Sequence, residues 1–376
     1  MKQDFVFISE SVTEGHPDKL CDQISDAVLD QFLREDPRAR AIVECAVSTG
    51  VVFVAARYQA RTLVDIPHIA RQVIREVGYD DKDFNARTSS ILTSLNELPP
   101  EVPAADESAL SDAQIEAVTA RNTATLFGYA CTHTPAFLPL PIWLAHKLAR
   151  RLSAVRLTRQ LPYLRPDAKA QVAVVFQNRR PVRIHSVTLL VSHTASGVPP
   201  AAQLAQALRA QVIEPVFRDE PVRPDADTRV YVNPEGPFEI GGPAVHAGLT
   251  GRKNAIDTYG EYARHSGAAL SGKDPSRIDR TGAYAARHAA KNVVAAGLAD
   301  ECEVLLSYAI GQARPVSVQV ETFGTGRVSD TEIGARLEAQ FDFRPAAIVR
   351  AFNLRQLPAL TKGGFYRRLA AYGHVG

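Results

Sequence analysis

Apolar residues recur every fourth position at Leu20, Ile24, Val28 and Phe32, the spacing of one helical face. The pattern predicts a helix from Asp18 to Glu35 that Asp36-Pro37 ends. Residues 41–58 (AIVECAVSTGVVFVAARY) read instead as two β-rich runs around Ser48-Thr49-Gly50, a hairpin signal. DIPHIARQVIREVG follows, with Pro67 near a helix start and Gly78 past its end. The first unit is therefore helix, hairpin, helix.

The same order recurs twice. PIWLAHKLARRL precedes the strand runs AQVAVVF and VRIHSVTLLVSH around Gln177 to Pro181, and a helical stretch runs from Ala201 to Val216. TGAYAARHAAKNVVAAGL then precedes CEVLLSYAI and PVSVQVETF, and DTEIGARLEAQF follows the turn at Gly324 to Ser329. Three such units predict an α+β fold of structurally similar subdomains, each an antiparallel or mixed sheet backed by helices. The expected segments are an N-terminal unit at 1–105, a mobile loop and connector at 106–128, a middle unit at 129–240 and a C-terminal unit at 241–376. Between the first two, ELPPEVPAADESALSDAQ is rich in Pro, Ala and acidic residues, a composition that suits a lid and a plain linker equally.

Bulk properties narrow the partners. At 376 residues and 45% hydrophobic, the chain exceeds one ordinary core. With 43 basic and 41 acidic residues it carries no overall field to recruit nucleic acid or membrane, so any anion site is local. Cys21, Cys45, Cys131 and Cys302 form no CxxC pair, which argues against a zinc site or disulfide framework and for reduced, buried thiols. No basic region followed by a long apolar stretch opens the chain and no run reaches membrane-spanning length. A soluble cytoplasmic protein is expected.

Four clusters carry chemistry. EGHPDK (Glu14 to Lys19) precedes a helix; Asp18 offers a hard oxygen ligand, while His16 and Lys19 can face phosphate oxygens at the positive end of the helix dipole. Alone, the cluster reads first as a capped helix with Asp18 at its start, and Asp22, Asp26 and Asp30 beyond it read as a solvated acidic stripe. In SGAALSGKDPSRIDR, Gly267, Gly272 and Lys273 match the GxxxxGK spacing, but Asp274 stands where a magnesium-binding Ser or Thr belongs and no buried strand precedes it. That argues against a P-loop kinase and leaves a glycine-rich anion loop, with Asp279 a further candidate metal ligand. GLTGRK places Arg252 and Lys253 after a glycine turn, which suits polyphosphate. Asp167 and Lys169 introduce a strand in LRPDAKAQV, and GTG at Gly324 to Gly326, lacking the third glycine of a dinucleotide fingerprint, reads as a turn. No Ser or Cys nucleophile elbow appears. The set suits an enzyme that stabilises a leaving polyphosphate with metal ions rather than attacking it.

SESVTEGHPDKLCDQISDAVLD, STG, LRPDAKAQV, GGPAVHAGLTGRKNAIDTYG, SGKDPSRIDRTGAYAARHAAKNVVAAGLAD, SYAIG, VETFGTG and AAYGH closely resemble the S-adenosylmethionine synthetase (methionine adenosyltransferase) family. The similarity runs from about Phe5 to Gly376 and departs broadly only from about Leu95 to Thr125. It implies three subdomains with pseudo-threefold symmetry, assembled as homodimers or dimers of dimers with active sites between two subunits. The implied reaction is attack of a methionine sulfur on C5′ of ATP with expulsion of triphosphate, which is then cleaved to diphosphate and phosphate. By motif, His16 would assist triphosphate departure, Asp18 and Asp279 would hold two magnesium ions, and Glu44 would bind potassium. Asp167, Lys169, Arg252, Lys253 and Lys273 would contact ATP and its triphosphate, while Phe238 and Ile310 would help line the adenosine and substrate region.

The acceptor pocket departs from the family pattern. Arg57 stands for a glutamate, Leu98 for a glutamine, Asn122 for the acid of GDQG, His246 for an aspartate and Arg277 for a lysine. Three acids that could face an ammonium are lost while a cation that could face a carboxylate is kept. Methionine remains the acceptor by resemblance; the alternatives are a small sulfur acceptor with an anionic end and no ammonium, an ATP or tripolyphosphate hydrolase, and a non-catalytic partner subunit.

Overall fold

The computed structural model describes residues 4–99 and 107–376; the part of the expected loop at 100–106 lies outside the described residues. Strand β1 (Phe5–Val12) leads into α1 (Pro17–Glu35), which starts at the N-cap His16 and stops at Asp36. The first hairpin is β2 (Arg40–Ser48) and β3 (Val51–Gln59). Helix α2 (Ile66–Val77) starts at Asp65, whose side chain accepts the His68 N–H, and ends at Gly78 in the left-handed conformation. Then come β4 (Ser90–Glu97), the short α3 (Asp112–Ala117) closed by a Ser111–Gln114 capping box, and β5 (Ala124–Cys131). The middle of the chain forms α4 (Leu140–Leu157), β6 (Leu164–Gln177), β7 (Arg180–His193), α5 (Ala201–Leu208) continuing through a π turn into α6 (Glu214–Phe217), and β8 (Arg229–Val232). The rest forms β9 (Gly248–Leu249), α7 (Asn254–Asp257), α8 (Ile278–Ala295), β10 (Glu301–Tyr308), β11 (Ser317–Glu321) and α9 (Asp330–Gln340). No helix among the described residues is long and apolar enough to cross a membrane.

The α+β architecture expected from the sequence is present, with three sheets centred on the three hairpins: β4-β3-β2-β9, β1-β6-β7-β8 and β11-β10-β5. Each hairpin is completed by strands from distant sequence. β1 runs antiparallel to β6, β5 to β10 and β9 to β2. Three apolar cores follow: α1 and α2 on the first sheet, α4 with α5 and α6 on the second, and α8 with α9 on the third. Period-two alternation explains the burial: Ala41, Val43, Cys45 and Val47 of β2 face α1, while Ile42, Glu44 and Ala46 face outward.

One expectation is corrected. Asp22, Asp26 and Asp30 are buried rather than a solvated stripe, because the C-terminal third of the chain covers the second face of α1. Asp22 accepts the Gly251 N–H at 2.7 Å; Asp26 accepts the Gly272 N–H at 2.8 Å and pairs with both terminal nitrogens of Arg280; Asp30 accepts the N–H groups of Phe365, Tyr366 and Arg367. The helix is buried nearly all round, so its charges are satisfied by protein instead of water.

Candidate active site

The first group of candidate side chains gathers where β1 turns into α1. The β1–β6 register sets Val12 opposite Lys169, which brings the turn after β1 onto the Pro166–Asp167 backbone. A Cβ on Gly15 would collide with the Pro166 carbonyl, and one on Gly248 with the Pro17 carbonyl, so both close approaches require glycine. His16 caps α1, its Nδ1 accepting the Asp18 N–H at 3.2 Å. Asp18 accepts the Leu249 N–H at 3.0 Å and lies 3.4 Å from Lys253 Nζ and 4.0 Å from Arg252. The GLTGRK turn is therefore gripped by α1, which is how its two cations reach the carboxylate. Asp167 accepts the Gly242 N–H at 2.7 Å and stands 3.4 Å from His246 Nε2, whose ring is 5.1 Å from that of His16. His16, Asp167 and His246 are the one cluster of three potential metal-binding side chains among the described residues. Lys169 extends alongside, 3.1 Å from Glu10, and Phe238 is tied to the same edge by paired contacts with His193.

The two histidines are shifted in opposite directions. Burial pushes the His16 imidazole down to about 4 in spite of Asp167 and Asp18 nearby. The hydrogen bond to Asp167 instead raises His246 above its usual value. Lys19, expected to face phosphate, does not reach the site: it is fully buried between Asp22, at 3.0 Å, and Asp257.

A second group lies about two turns further along α1, where Asp26 anchors Arg280 and Gly272. The glycine of the GK dipeptide serves packing here. Gly272 has a positive φ of 78°, its Cβ would strike the Val43 carbonyl, and its N–H is taken by Asp26, so it offers no phosphate cradle. What the loop presents is Lys273, bridged to Ile42 of β2 and 3.1 Å from Asp279 at the start of α8. Asn122 donates to the same Asp279 oxygen at 2.9 Å, while its own Oδ1 is buried without a hydrogen-bond partner. An orphaned carbonyl oxygen beside a carboxylate fits a hard cation such as magnesium or its bound water. Asp18 and Asp279 do not share that position, since they belong to different groups.

Arg57, Leu98 and Arg277 line one cavity of about 50 Å³ together with Arg40, Arg121 and Ser276. Glu44 stands on the outward face of β2 opposite Ala55, a face that further along carries the exposed apolar residues Val51, Phe53 and Leu92. Ile310, largely exposed, sits in the turn whose Gly311 and Gln312 pair with Ala120, close in sequence to Asn122. His246 is therefore separated from the other substituted pocket positions, which join the second group. Sequence reasoning missed Arg40 and Arg121, which carry no motif, and the Asp26–Arg280 pair. For that pair the available signal was an acidic i, i+4 series in which Asp26 has an acid on either side and no basic i, i+4 partner.

Three family models match in succession: the N-terminal domain of S-adenosylmethionine synthetase at residues 4–100, its central domain at 117–238 and its C-terminal domain at 240–376. Among curated relatives, the S-adenosylmethionine synthase of Thermosynechococcus vestitus is 48% identical, covering 99% of this chain and 93% of the relative. Those of Trichormus variabilis and Gloeobacter violaceus are also 48% identical, over 100% and 99% of this chain and 93% of each relative.

Proposed function

This chain belongs to the S-adenosylmethionine synthetase family, and from that premise we propose that it transfers the adenosyl group of ATP to the sulfur of a small acceptor. Methionine is the acceptor that the name of its relatives supports. A thioether sulfur has a lone pair and no proton to lose, so its attack on C5′ needs no general base; the C5′–O bond breaks and the electron pair leaves with triphosphate. Alignment of the leaving group and neutralisation of its charge carry the catalysis.

The observation that carries this reading is the pairing of Lys253 and Arg252 with Asp18, and of Lys273 with Asp279. Such pairs can reorganise around a polyphosphate and its cations. Lys169, Arg252 and Lys253 with Asp167 would hold ATP from one group, and Lys273 from the other. His16, kept neutral by burial, is suited to donate a hydrogen bond to the departing oxygen. Asp18 and Asp279 would hold magnesium, which supplies charge neutralisation when bound, and Glu44 would hold potassium. Phe238 and Ile310 would border the adenosine. Two groups at different levels of α1, with an exposed apolar face on the first sheet, support a homodimer or dimer of dimers in which each site draws one group from each subunit.

A second reading concerns the acceptor. Arg57, Leu98 and Arg277 share one cavity, Asn122 replaces an acid, and among the described residues no acidic side chain there is at liberty to face an ammonium. These features favour an acceptor with an anionic end and no ammonium. The test is mass spectrometry of reactions with ATP, magnesium and potassium, with methionine in one and small sulfur compounds in others. S-adenosylmethionine at an ordinary rate supports the methionine reading, and another adduct with methionine inert supports the second. Phosphate without any adduct would refute adenosyl transfer in favour of hydrolysis.

A further inference from the structure

We propose that the cavity between the start of α8 and the β2–β3 hairpin holds a doubly anionic group, the charged end of an acceptor with two negative charges where an amino acid has one charge of each sign. This rests on the adenosyl-transfer reading for the sulfur end and on the cavity itself for the charged end.

The cavity is small, about 50 Å³, yet a water needs only about 10–15 Å³ by a comparable measure, so a carboxylate or a tetrahedral anion fits. Among the described residues four guanidinium groups line it, from Arg40, Arg57, Arg121 and Arg277, against one carboxylate, Asp274; Arg40 and Arg121 have partners of their own, so Arg57 and Arg277 are the two that face the space. That carboxylate is already used: its oxygens accept the Ala41 N–H at 2.9 Å and the Ser276 N–H at 2.7 Å. Neither Arg57 nor Arg277 has a hydrogen-bonding or ion-pairing side-chain partner among the described residues. Two such guanidinium groups on one small space repel each other unless an anion lies between them. Each also presents a planar donor fork matched to a carboxylate or phosphate.

Backbone adds to the same field. Arg277 is the N-cap of α8 and makes no side-chain capping bond, so the positive end of an 18-residue helix begins at the cavity wall. An ammonium would find no counterpart there among the described residues. Leu98 is apolar, and Asp279 is held by Lys273 and Asn122. A zwitterion would place its cation among guanidinium groups, whereas a dianion satisfies both free forks. The adjoining Asp279 and Lys273 set the sulfur end next to the residues proposed for triphosphate.

The test is calorimetric titration of the full chain, without ATP, with succinate, inorganic phosphate and methionine. At least one of the two dianions should bind ten-fold or more tighter than methionine; which one wins separates a paired carboxylate from a tetrahedral group. Arg57 lies on the outward face of β3, so Arg57→Glu leaves the core untouched and should weaken that binding at least ten-fold, with Arg57→Lys recovering part of it. Binding unchanged by Arg57→Glu but lost in Lys273→Ala would place the anion at the triphosphate residues and overturn the proposal, as would methionine binding as tightly as either dianion. Adduct formation, measured separately, keeps the two claims distinct. Arg57-dependent dianion binding without any adenosyl adduct supports the anion site and refutes transfer; a methionine adduct without dianion binding refutes the anion site and leaves transfer standing.

Discussion

Lys273 at 3.1 Å from Asp279 and Lys253 at 3.4 Å from Asp18 are partly exposed pairs beside buried ones, and that contrast separates sites from scaffold. The pair between Lys19 and Asp257 excludes solvent and holds the fold. Replacing Lys273 or Asp279 by alanine should lower ATP turnover, measured as phosphate release, at least a hundred-fold, since the first removes a cation facing the leaving group and the second a proposed ligand of the magnesium that neutralises it; full activity would remove both from the site. His16 behaves differently from a free imidazole. Its value near 4 comes from burial, so the folded state takes up fewer protons than the unfolded chain between about pH 6.5 and 4. Its contribution to stability is constant above that window and is lost as pH falls through it. In an NMR titration its ring should stay neutral from pH 8 to 5, and a midpoint near 6.5 would contradict the neutral donor role.

Helix α1 links site and scaffold. Its first turn supplies His16 and Asp18, and its later turns bind the GLTGRK loop, the GK loop and residues 365–367 through Asp22, Asp26 and Asp30. Burial raises the Asp30 carboxyl to about 6 although three N–H groups oppose the shift. Asp30→Ala leaves those donors without their acceptor, at roughly 1–3 kcal/mol for each group left unsatisfied, partly offset by the carboxylate that no longer needs burying. A net loss of about 2 kcal/mol or more in denaturant unfolding is expected, and an unchanged midpoint would show that residues 365–367 are held by other contacts. The apolar spacing of α1 was legible in the sequence. The fate of its acidic face was not, because periodicity marks a face as polar without saying whether water or protein covers it.

At the scale of the whole molecule, the outward face of β2–β3–β4 exposes Val51 at 40%, Phe53 at 41% and Leu92 at 54%, with Phe53 opposite both Ala46 and Leu92 in the strand register. Glu44 and Arg57 share this face. If two subunits meet here, Phe53→Glu buries a charge without a partner. Light scattering after gel filtration should then show a monomer with native circular dichroism and little ATP turnover; retained dimer mass and turnover would place the subunit interface elsewhere.

Local patterning was enough to determine the three hairpins, their helices and the α+β class, because four-residue and two-residue periodicities record which side of each element meets a core. The short motifs likewise led to the expectation of polyphosphate chemistry, since cations, carboxylates and glycine turns are chosen by residue type. Only the tertiary structure decided which distant strand completes each hairpin. β1, β5 and β9 carry weaker signals of their own and gain their partners through sheet edges far along the chain. It also decided that Lys19 is structural, that Gly272 packs rather than cradles, and that four arginines from separate segments line one cavity. Those outcomes depend on long-range approach of side chains, which spacing along the chain does not encode.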